Sequence, residues 1–336
     1  MEQEKRILFF DTKPYDNTFF EEANKSYGFR IKYLHEHLNI DTAPFTNGYP
    51  VVCAFVNDVI DKDVIDIMID NKVQLVALRC AGYNNVDLKA AAEKLHVVRV
   101  PGYSPYAVAE HTAALMLSLN RKIHKAYYRT RDGNFSINGF LGYDLFGKTA
   151  GVIGTGKIGK CFISILKGFG MNVLAYDKFP DKEYAKAEKI KYVTLKELFS
   201  QSNVISLHCP LMPGTHHLIK KKSIDQMKDG VMLLNTGRGA LVNTPDLLDG
   251  LKSGKIGAAG LDVYEEESSY FFEDLSASMI SDDILARLLT LPNVLITSHQ
   301  GFFTKEAITN IAQTTLGNIK EYFEHGHPVN EICYKK

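Results

Sequence analysis

At 336 residues the chain is too long for one ordinary hydrophobic core, so two domains are expected. Its 45% hydrophobic content supplies those cores, and 39 basic residues balance 39 acidic ones, leaving no net field to attract nucleic acid or an anionic membrane. The cysteines, Cys53, Cys80, Cys161, Cys209 and Cys333, are scattered without a CxxC pair, which argues against a metal site and a disulfide framework. The opening MEQEKRILFF lacks the apolar region of a signal peptide, and no segment has the length of a spanning helix. A soluble, cytoplasmic protein acting on a small molecule is the expectation.

Short apolar runs alternate with amphipathic stretches, the pattern of α/β folds with parallel sheets. Strands are expected at Ile7–Phe10, Val51–Val56, Gln74–Arg79 and Val97–Val100, with helices around Phe19–Tyr27, Val59–Asn71 and Val86–Leu95. These make one small α/β unit. Pro101 and Pro105 bracket a turn, a long helix is expected from about Tyr106 to Lys125, and a loop-like arm follows from Arg131 to Gly147 with Phe135, Phe140, Tyr143 and Phe146. A second series then starts, with strands at Thr149–Ile153, Asn172–Tyr176, Val204–His208, Val231–Asn235, Ala258–Asp262 and Val294–Ser298. Six strands with interleaved helices match a doubly wound dinucleotide domain. A last helix, Lys305–His325, follows the completed set and is expected to return to the first unit.

The strand Thr149–Ile153 runs into Gly154, Thr155, Gly156, Lys157, Ile158 and Gly159, and a helix follows. The first glycine permits the tight turn, the second admits a pyrophosphate, and the third lets helix and strand pack closely. Asp177 ends the next strand, 18 residues beyond Gly159, where an acid bonds the adenine ribose hydroxyls and would repel a 2′-phosphate. NAD is therefore the expected cofactor, with Lys178 moderating the preference over NADP.

Arg238, Glu267 and His299 each follow a later strand of that series, at the end that faces the ligand crevice of a doubly wound sheet. Arg suits the carboxylate of a 2-oxo acid, which it grips with two bonds. His suits the acid that protonates the carbonyl oxygen, and a carboxylate partner fixes its tautomer and favours its protonated form. Glu265 and Glu266 compete with Glu267 for that partnership, and His111, His208, His216 and His217 are rivals for the acid. His208, followed by Cys209 and Pro210, is assigned instead to the cofactor pocket, as is Thr236.

The segments LRCAGYNNVDL (78–88), KTAGVIGTGKIGK (148–160), LKGFGM (166–171), VISLHCPL (204–211), GVMLLNTGRGALV (230–242), GLDVYEEE (260–267), YFFEDL (270–275) and SHQGFFTKEA (298–307) resemble the D-2-hydroxyacid dehydrogenases. The likeness runs collinearly over almost the whole chain and is strongest to the fermentative D-lactate dehydrogenases of bacteria. The resemblance implies two Rossmann-like or flavodoxin-like α/β domains, with an NAD-binding domain at 102–299 inserted into a discontinuous substrate domain at 1–101 and 300–336, and the active site between them. It places the catalytic trio on Arg238, Glu267 and His299, and gives Asp262 a supporting place beside the cofactor. It also implies that the backbone near Ala81 and Gly82 helps bind the substrate carboxylate, and that Phe55, Tyr103 and Phe302 wall the substrate side chain. It implies pyruvate and D-lactate as the substrate pair, and a homodimer or homotetramer built on the long helix and aromatic arm. Gly237 and Gly301 depart from the residues usual in relatives and are expected to loosen the pocket locally. The alternatives are a reductase of another small 2-oxo acid, such as hydroxypyruvate, glyoxylate or a branched-chain keto acid, and an NAD-sensing, corepressor-like binding protein. An L-specific lactate dehydrogenase is disfavoured, because that family carries its glycine motif near the N-terminus.

Overall fold

The named strands of the computed structural model, which describes residues 5–267 and 270–334, form two separate parallel sheets. The first unit, Met1–Ser104 with Phe303–Lys336, begins β1 (Arg6–Phe9), α1 (Pro14–Asn24), β2 (Arg30–Tyr33), β3 (Val51–Ala54) and α2 (Lys62–Asp70). It continues with β4 (Leu75–Leu78), α3 (Leu88–Ala91) and β5 (His96–Val98), and its strand order is β2-β1-β3-β4-β5. The interior strands β3 and β4 are wholly buried, as continuous apolar runs in a sheet covered on both faces should be. The helix expected over Val86–Leu95 is reduced to the four residues of α3, and two further elements differ from expectation. β2, sequence RIKY, is an edge strand with alternating exposure and too many charges to read as a strand. α1 starts at Pro14, whose fixed φ suits a first helical position, and the Asp16 carboxylate accepts from the Lys13 N–H at 3.0 Å.

The second unit, Pro105–Phe302, opens with α4 (Pro105–Arg121) and α5 (Ile123–Arg131). The single helix expected there is broken at Lys122, whose left-handed backbone (φ +51°) redirects the chain. Then follow β6 (Thr149–Ile153), α6 (Lys157–Gly168), β7 (Asn172–Tyr176), α7 (Lys182–Glu188), β8 (Lys191–Tyr192), α8 (Leu195–Gln201), β9 (Val204–Leu207) and α9 (Lys221–Ile224). The unit closes with β10 (Val231–Asn235), α10 (Thr244–Lys252), β11 (Ile256–Leu261), α11 (Asp283–Thr290) and β12 (Val294–Ile296). Its sheet runs β12-β11-β10-β9-β6-β7-β8, so the strand order reverses between β6 and β9, the place where doubly wound sheets bind ligands. One face buries Ile205, Leu233, Leu247 and Leu288, and the other packs Met116 and Leu119 of α4 against Phe162 and Leu166 of α6. The two-residue edge strand β8 extends the six strands expected.

α12 (Lys305–His325), capped by the Thr304 hydroxyl at 3.2 Å from the Ala307 N–H, belongs to the first unit and packs on α1 and β4. The units divide after Ser104 and after Phe302, three residues beyond each expected junction, because α4 starts at Pro105 and Phe302 packs with the second unit. Among the described residues no helix is long and apolar enough to cross a membrane.

Candidate active site

The cofactor turn is built as its glycines require. Gly154 has φ +95°, and a Cβ there would lie 2.5 Å from the Cys209 N, because the His208–Cys209 backbone passes directly over it. A Cβ on Gly159 would collide with the Gly154 carbonyl oxygen. α6 begins at Lys157 with Gly156 as its N-cap, no capping side chain and no acid in its first turn. Its end therefore presents N–H groups and positive dipole without competition, a cradle that fits a pyrophosphate. Asp177 stands beside it. Its Oδ2 accepts from the Thr155 N–H (2.7 Å) and hydroxyl (3.0 Å), and its Oδ1 from the Phe179 N–H (2.9 Å). Burial raises the Asp177 pKa, but hydrogen bonds from Phe179 and Thr155 outweigh it and hold the group below the ordinary aspartate value, so it is an anion. Tyr192 of β8, whose hydroxyl lies 2.8 Å from Thr155 Oγ1, joins this corner without having been singled out in the sequence.

His208 follows β9 with its Nε2 2.9 Å from Ser206 Oγ and its ring 5.2 Å from that of Phe162. Burial pushes its pKa down to about 4, so it stays neutral near pH 7 and is unsuited to donating a proton. Cys209 is half-buried and Pro210 exposed in the same loop. The Thr112 hydroxyl donates to the Val108 carbonyl at 2.7 Å, so in its 2.8 Å contact with Thr236 the Thr236 hydroxyl is the donor. Thr236 therefore ties the turn after β10 to α4.

Arg238 lies in that turn, which the buried Asn235 side chain closes: its Oδ1 accepts from the Gly237 N–H (3.1 Å) and its Nδ2 donates to the Arg238 carbonyl (2.9 Å). The Arg238 guanidinium donates to the Gly237 carbonyl at 2.7 Å. Asn235 also accepts, through its carbonyl, from the Asp262 N–H at 2.9 Å, placing the ends of β10 and β11 side by side. Asp262, 1% exposed, organises the segment after β12. Its Oδ1 accepts from the Thr297 hydroxyl (2.6 Å) and Gln300 N–H (2.9 Å), its Oδ2 from the Gly301 N–H (2.8 Å), and His111 Nε2 lies 3.2 Å from Oδ1. Asp262 is expected from the sequence beside the cofactor, and its carboxylate bonds this loop. His111 of α4, one of the rival acids, is likewise committed, with its Nε2 3.0 Å from Thr297 Oγ1.

His299 is held between these supports. Its backbone is left-handed (φ +49°), and its N–H donates to the Asp262 carbonyl at 2.8 Å. Its Nδ1 lies 2.8 Å from Glu267 Oε1, while Glu267 Oε2 accepts from the Tyr264 N–H at 3.0 Å. Of three consecutive glutamates, Glu267 is the one bonded to His299. Glu265 pairs with His217 at 2.5 Å, and Glu266 is exposed. With Nδ1 facing a carboxylate, the proton available for transfer sits on Nε2. A Cβ on Gly301 would come 2.9 Å from Asp262 Oδ2, so glycine here tightens the Asp262 anchor where a loosened pocket was expected. A Cβ on Gly237 would meet only ordinary contacts, and nothing in the structure explains that departure.

The remaining expected substrate contacts are placed as follows. Phe302 is buried in the second unit. In the first, Phe55 is buried against the Arg79 guanidinium, which lies 4.6 Å from its ring and 4.4 Å from that of Phe9. The Ala81 carbonyl accepts from Arg99 (2.9 Å), the Gly82 carbonyl lies 3.2 Å from Cys80 Sγ, and the Tyr103 carbonyl accepts from Asn310 (2.8 Å).

The D-isomer specific 2-hydroxyacid dehydrogenase NAD-binding domain model matches residues 113–301. The chain is 50% identical over 315 residues to the D-lactate dehydrogenase of Escherichia coli (strain K12), covering 94% of this chain and 95% of that protein. It superposes on the apo-structure of D-lactate dehydrogenase from Escherichia coli with a TM-score of 0.90 at 47% identity, covering 97% of this chain and 99% of the other. With the NAD complexed form of the D-isomer specific 2-hydroxyacid dehydrogenase from Lactobacillus delbrueckii ssp. bulgaricus the TM-score is 0.82 at 29% identity, over 97% and 99% of the chains. The chain belongs to the D-isomer specific 2-hydroxyacid dehydrogenase family, a family of NAD-dependent oxidoreductases.

Proposed function

We propose that the chain interconverts pyruvate and D-lactate, with NAD as hydride carrier and Arg238, Glu267 and His299 as the working residues. The observation that carries the proposal is the His299–Glu267 hydrogen bond of 2.8 Å, on a loop anchored by Asp262 and adjoining the cofactor sheet. When bound, the nicotinamide supplies or accepts the hydride. Arg238 grips the substrate carboxylate with its planar fork, supported by the backbone near Ala81 and Gly82. His299 delivers the Nε2 proton to the carbonyl oxygen and takes it back in the reverse direction. Glu267 holds the imidazole in the tautomer this requires and stabilises its charged form. Carboxylate and carbonyl oxygen are then both fixed, so one face of the substrate meets the hydride and a single enantiomer forms. The D hand is that of the family.

Phe55, Tyr103 and Phe302 are proposed to wall the substrate methyl group, and Asp177 to favour NADH over NADPH. The exposed Phe135, Ile137, Leu141 and Phe146 of the arm support a homodimer or homotetramer. A cytoplasmic location is part of this reading, and net neutrality supports a substrate other than nucleic acid or an anionic membrane surface. The test measures kcat/KM with NADH on pyruvate, 2-oxobutyrate, hydroxypyruvate and 2-oxoisocaproate, with chiral chromatography of the lactate formed. Each ill-fitting methylene should cost about 1–3 kcal/mol. L-lactate as product would overturn the proposal, whereas preference for 2-oxoisocaproate would replace only pyruvate as the substrate.

A further inference from the structure

His217 lies at the end of the segment that follows β9, on backbone in the left-handed region (φ +49°), an unfavourable conformation for a side chain other than glycine. Its N–H donates to the Ala240 carbonyl at 2.9 Å, and two residues on the Ile219 N–H donates to the Leu241 carbonyl at 3.0 Å. The segment is thereby laced to the Arg238 turn. From the same residue the ring reaches the other way, with Nε2 2.5 Å from Glu265 Oε1. Glu265 Oε2 accepts from the Thr244 hydroxyl at 3.2 Å. Gly239 completes the assembly: its Cα faces the Tyr264 carbonyl so closely that no Cβ would fit. The turn that carries Arg238 and the turn that carries Glu267 are thus in contact, and His217 and Glu265 bridge them from behind.

The state of the ring follows from its other nitrogen. Asn243 uses its Oδ1 to accept from the Asp246 N–H (3.0 Å) at the start of α10, so its NH2 group is what faces His217 Nδ1 at 3.3 Å. Nδ1 therefore offers a lone pair, and the ring hydrogen sits on Nε2, directed at Glu265. His216, His217 and Glu265 also have the ligand types of a divalent-metal site. A metal would need the Nε2 lone pair, which that hydrogen occupies, so the arrangement favours a hydrogen-bonded clamp.

We propose that His217 and Glu265 are positioning residues, a clamp that sets the Arg238 turn against the Glu267 turn so that substrate carboxylate and His299 are held in one productive geometry. The inference rests on the function proposed above. Neither residue is assigned a contact with the reacting atoms, and their effect is exerted through Arg238 and Glu267. A misplacement of a fraction of an ångström between those two groups is enough to slow hydride transfer strongly.

The experiment compares His217→Ala, Glu265→Ala, the double variant, His217→Gln and Glu265→Gln, as full-length enzyme, by kcat and KM for pyruvate, NADH dissociation constant and melting temperature. The alanine variants should lose about 10–100-fold in kcat/KM, with NADH binding changed by no more than about threefold. The double variant should lose clearly less than the two single losses combined, because both remove the His217–Glu265 bond. Glu265→Gln should recover most of the activity, since its amide oxygen still accepts from Nε2–H and its amide group can turn Thr244 into an acceptor. His217→Gln should recover part of it through an amide N–H near the Nε2 position. Alanine variants with wild-type kcat/KM per folded molecule, and only a lower melting temperature, would reduce the pair to a structural contact and overturn the inference. A Glu265→Gln variant as impaired as Glu265→Ala would overturn it too, by making charge the required property. Should His217→Ala not fold, Glu265→Ala and Thr244→Val, which removes only the outer bond, decide the matter by the same readings. Wild-type protein that reduces no 2-oxo acid would remove the function and this inference together, whereas active wild type with indifferent variants removes the clamp alone.

Discussion

Replacing Asp262 by Asn keeps the size of the side chain but removes one of its two acceptor oxygens. The wild-type carboxylate accepts from the Thr297 hydroxyl, the Gln300 N–H and the Gly301 N–H at 2.6, 2.9 and 2.8 Å, and faces His111 at 3.2 Å. An amide oriented with its oxygen toward Thr297 and Gln300 turns an NH2 group toward the Gly301 N–H. In the opposite orientation the NH2 group meets the Gln300 N–H, while the Thr297 hydroxyl can rotate to accept. One buried backbone N–H loses its acceptor either way, at about 1–3 kcal/mol. Weakening charge-assisted bonds to neutral ones adds about 1 kcal/mol, for a total of about 2–4 kcal/mol. Because these bonds hold His299 in its left-handed conformation, much of the loss should appear in catalysis: kcat/KM for pyruvate should fall about 10–100-fold. NADH affinity should stay within about threefold, because the GxGxxG turn is built by other residues. Steady-state kinetics, NADH fluorescence titration and urea unfolding of the same preparation measure these terms separately. An Asn variant within about twofold of wild type in kcat/KM, and equally stable, would refute Asp262 as the anchor of the His299 loop.

Arg238→Lys should cost about 2–4 kcal/mol of transition-state stabilisation with NADH binding preserved, because an ammonium keeps the charge but loses the planar fork; near-normal kcat/KM for pyruvate would remove Arg238 from the mechanism. Glu267→Gln should lower kcat/KM for pyruvate with NADH binding preserved, since His299 Nδ1 then lacks the carboxylate 2.8 Å away that fixes its tautomer; wild-type kcat/KM in that variant would exclude the partnership. Asp177→Ala should narrow the preference for NADH over NADPH, and equal use of both coenzymes by wild type would unseat Asp177 as the discriminator. Asp58 supplies a pH-dependent stability, its pKa pushed up to about 6 by burial against the opposing pull of Arg79 and of the Phe55 and Leu38 N–H groups. From an unfolded value of about 3.9, the folded state holds the proton more tightly, so stability falls by about 3 kcal/mol as pH rises from about 4 to about 6. Urea unfolding across that window should show Asp58→Asn with a flatter slope and lower stability, because one amide oxygen cannot accept from both the Leu38 and Phe55 N–H groups; an unchanged slope would place the proton uptake elsewhere.

What the sequence discloses depends on whether a residue's role is fixed by its neighbours along the chain or by those across the fold. The interior strands of both sheets are legible because burial on two faces forces continuous apolar runs such as VVCA and VMLLN. The edge strands β2 and β8 are not, since one exposed face and two to four residues leave no run to detect. The break at Lys122 is equally silent, because nothing in NRKIHK forbids a helix, and the left-handed residue is set by the turn the chain makes there. The glycine turn is legible for the opposite reason: the demand on Gly159 comes from the Gly154 carbonyl five residues away, and only the His208–Cys209 backbone that passes over Gly154 lies far along the chain.

The proposed trio stands out in the sequence as a pattern, because Arg, carboxylate and His after successive strands of one sheet arrive at one edge. Their partners do not. Glu265, Glu266 and Glu267 are chemically identical, and only the path of the turn decides that Glu267 meets His299 while Glu265 meets His217. The rival histidines divide on the same principle, His111 being committed to Asp262 and Thr297, His208 kept neutral by burial, and His217 bonded to Glu265. Each of these fates depends on a residue more than 40 positions away except that of His208, whose Ser206 partner is two positions away but whose burial comes from the fold. His299, the histidine proposed to move a proton, is the one whose Nδ1 lies 2.8 Å from the Glu267 carboxylate, and this three-dimensional pairing is what sets it apart from His111, His208 and His217.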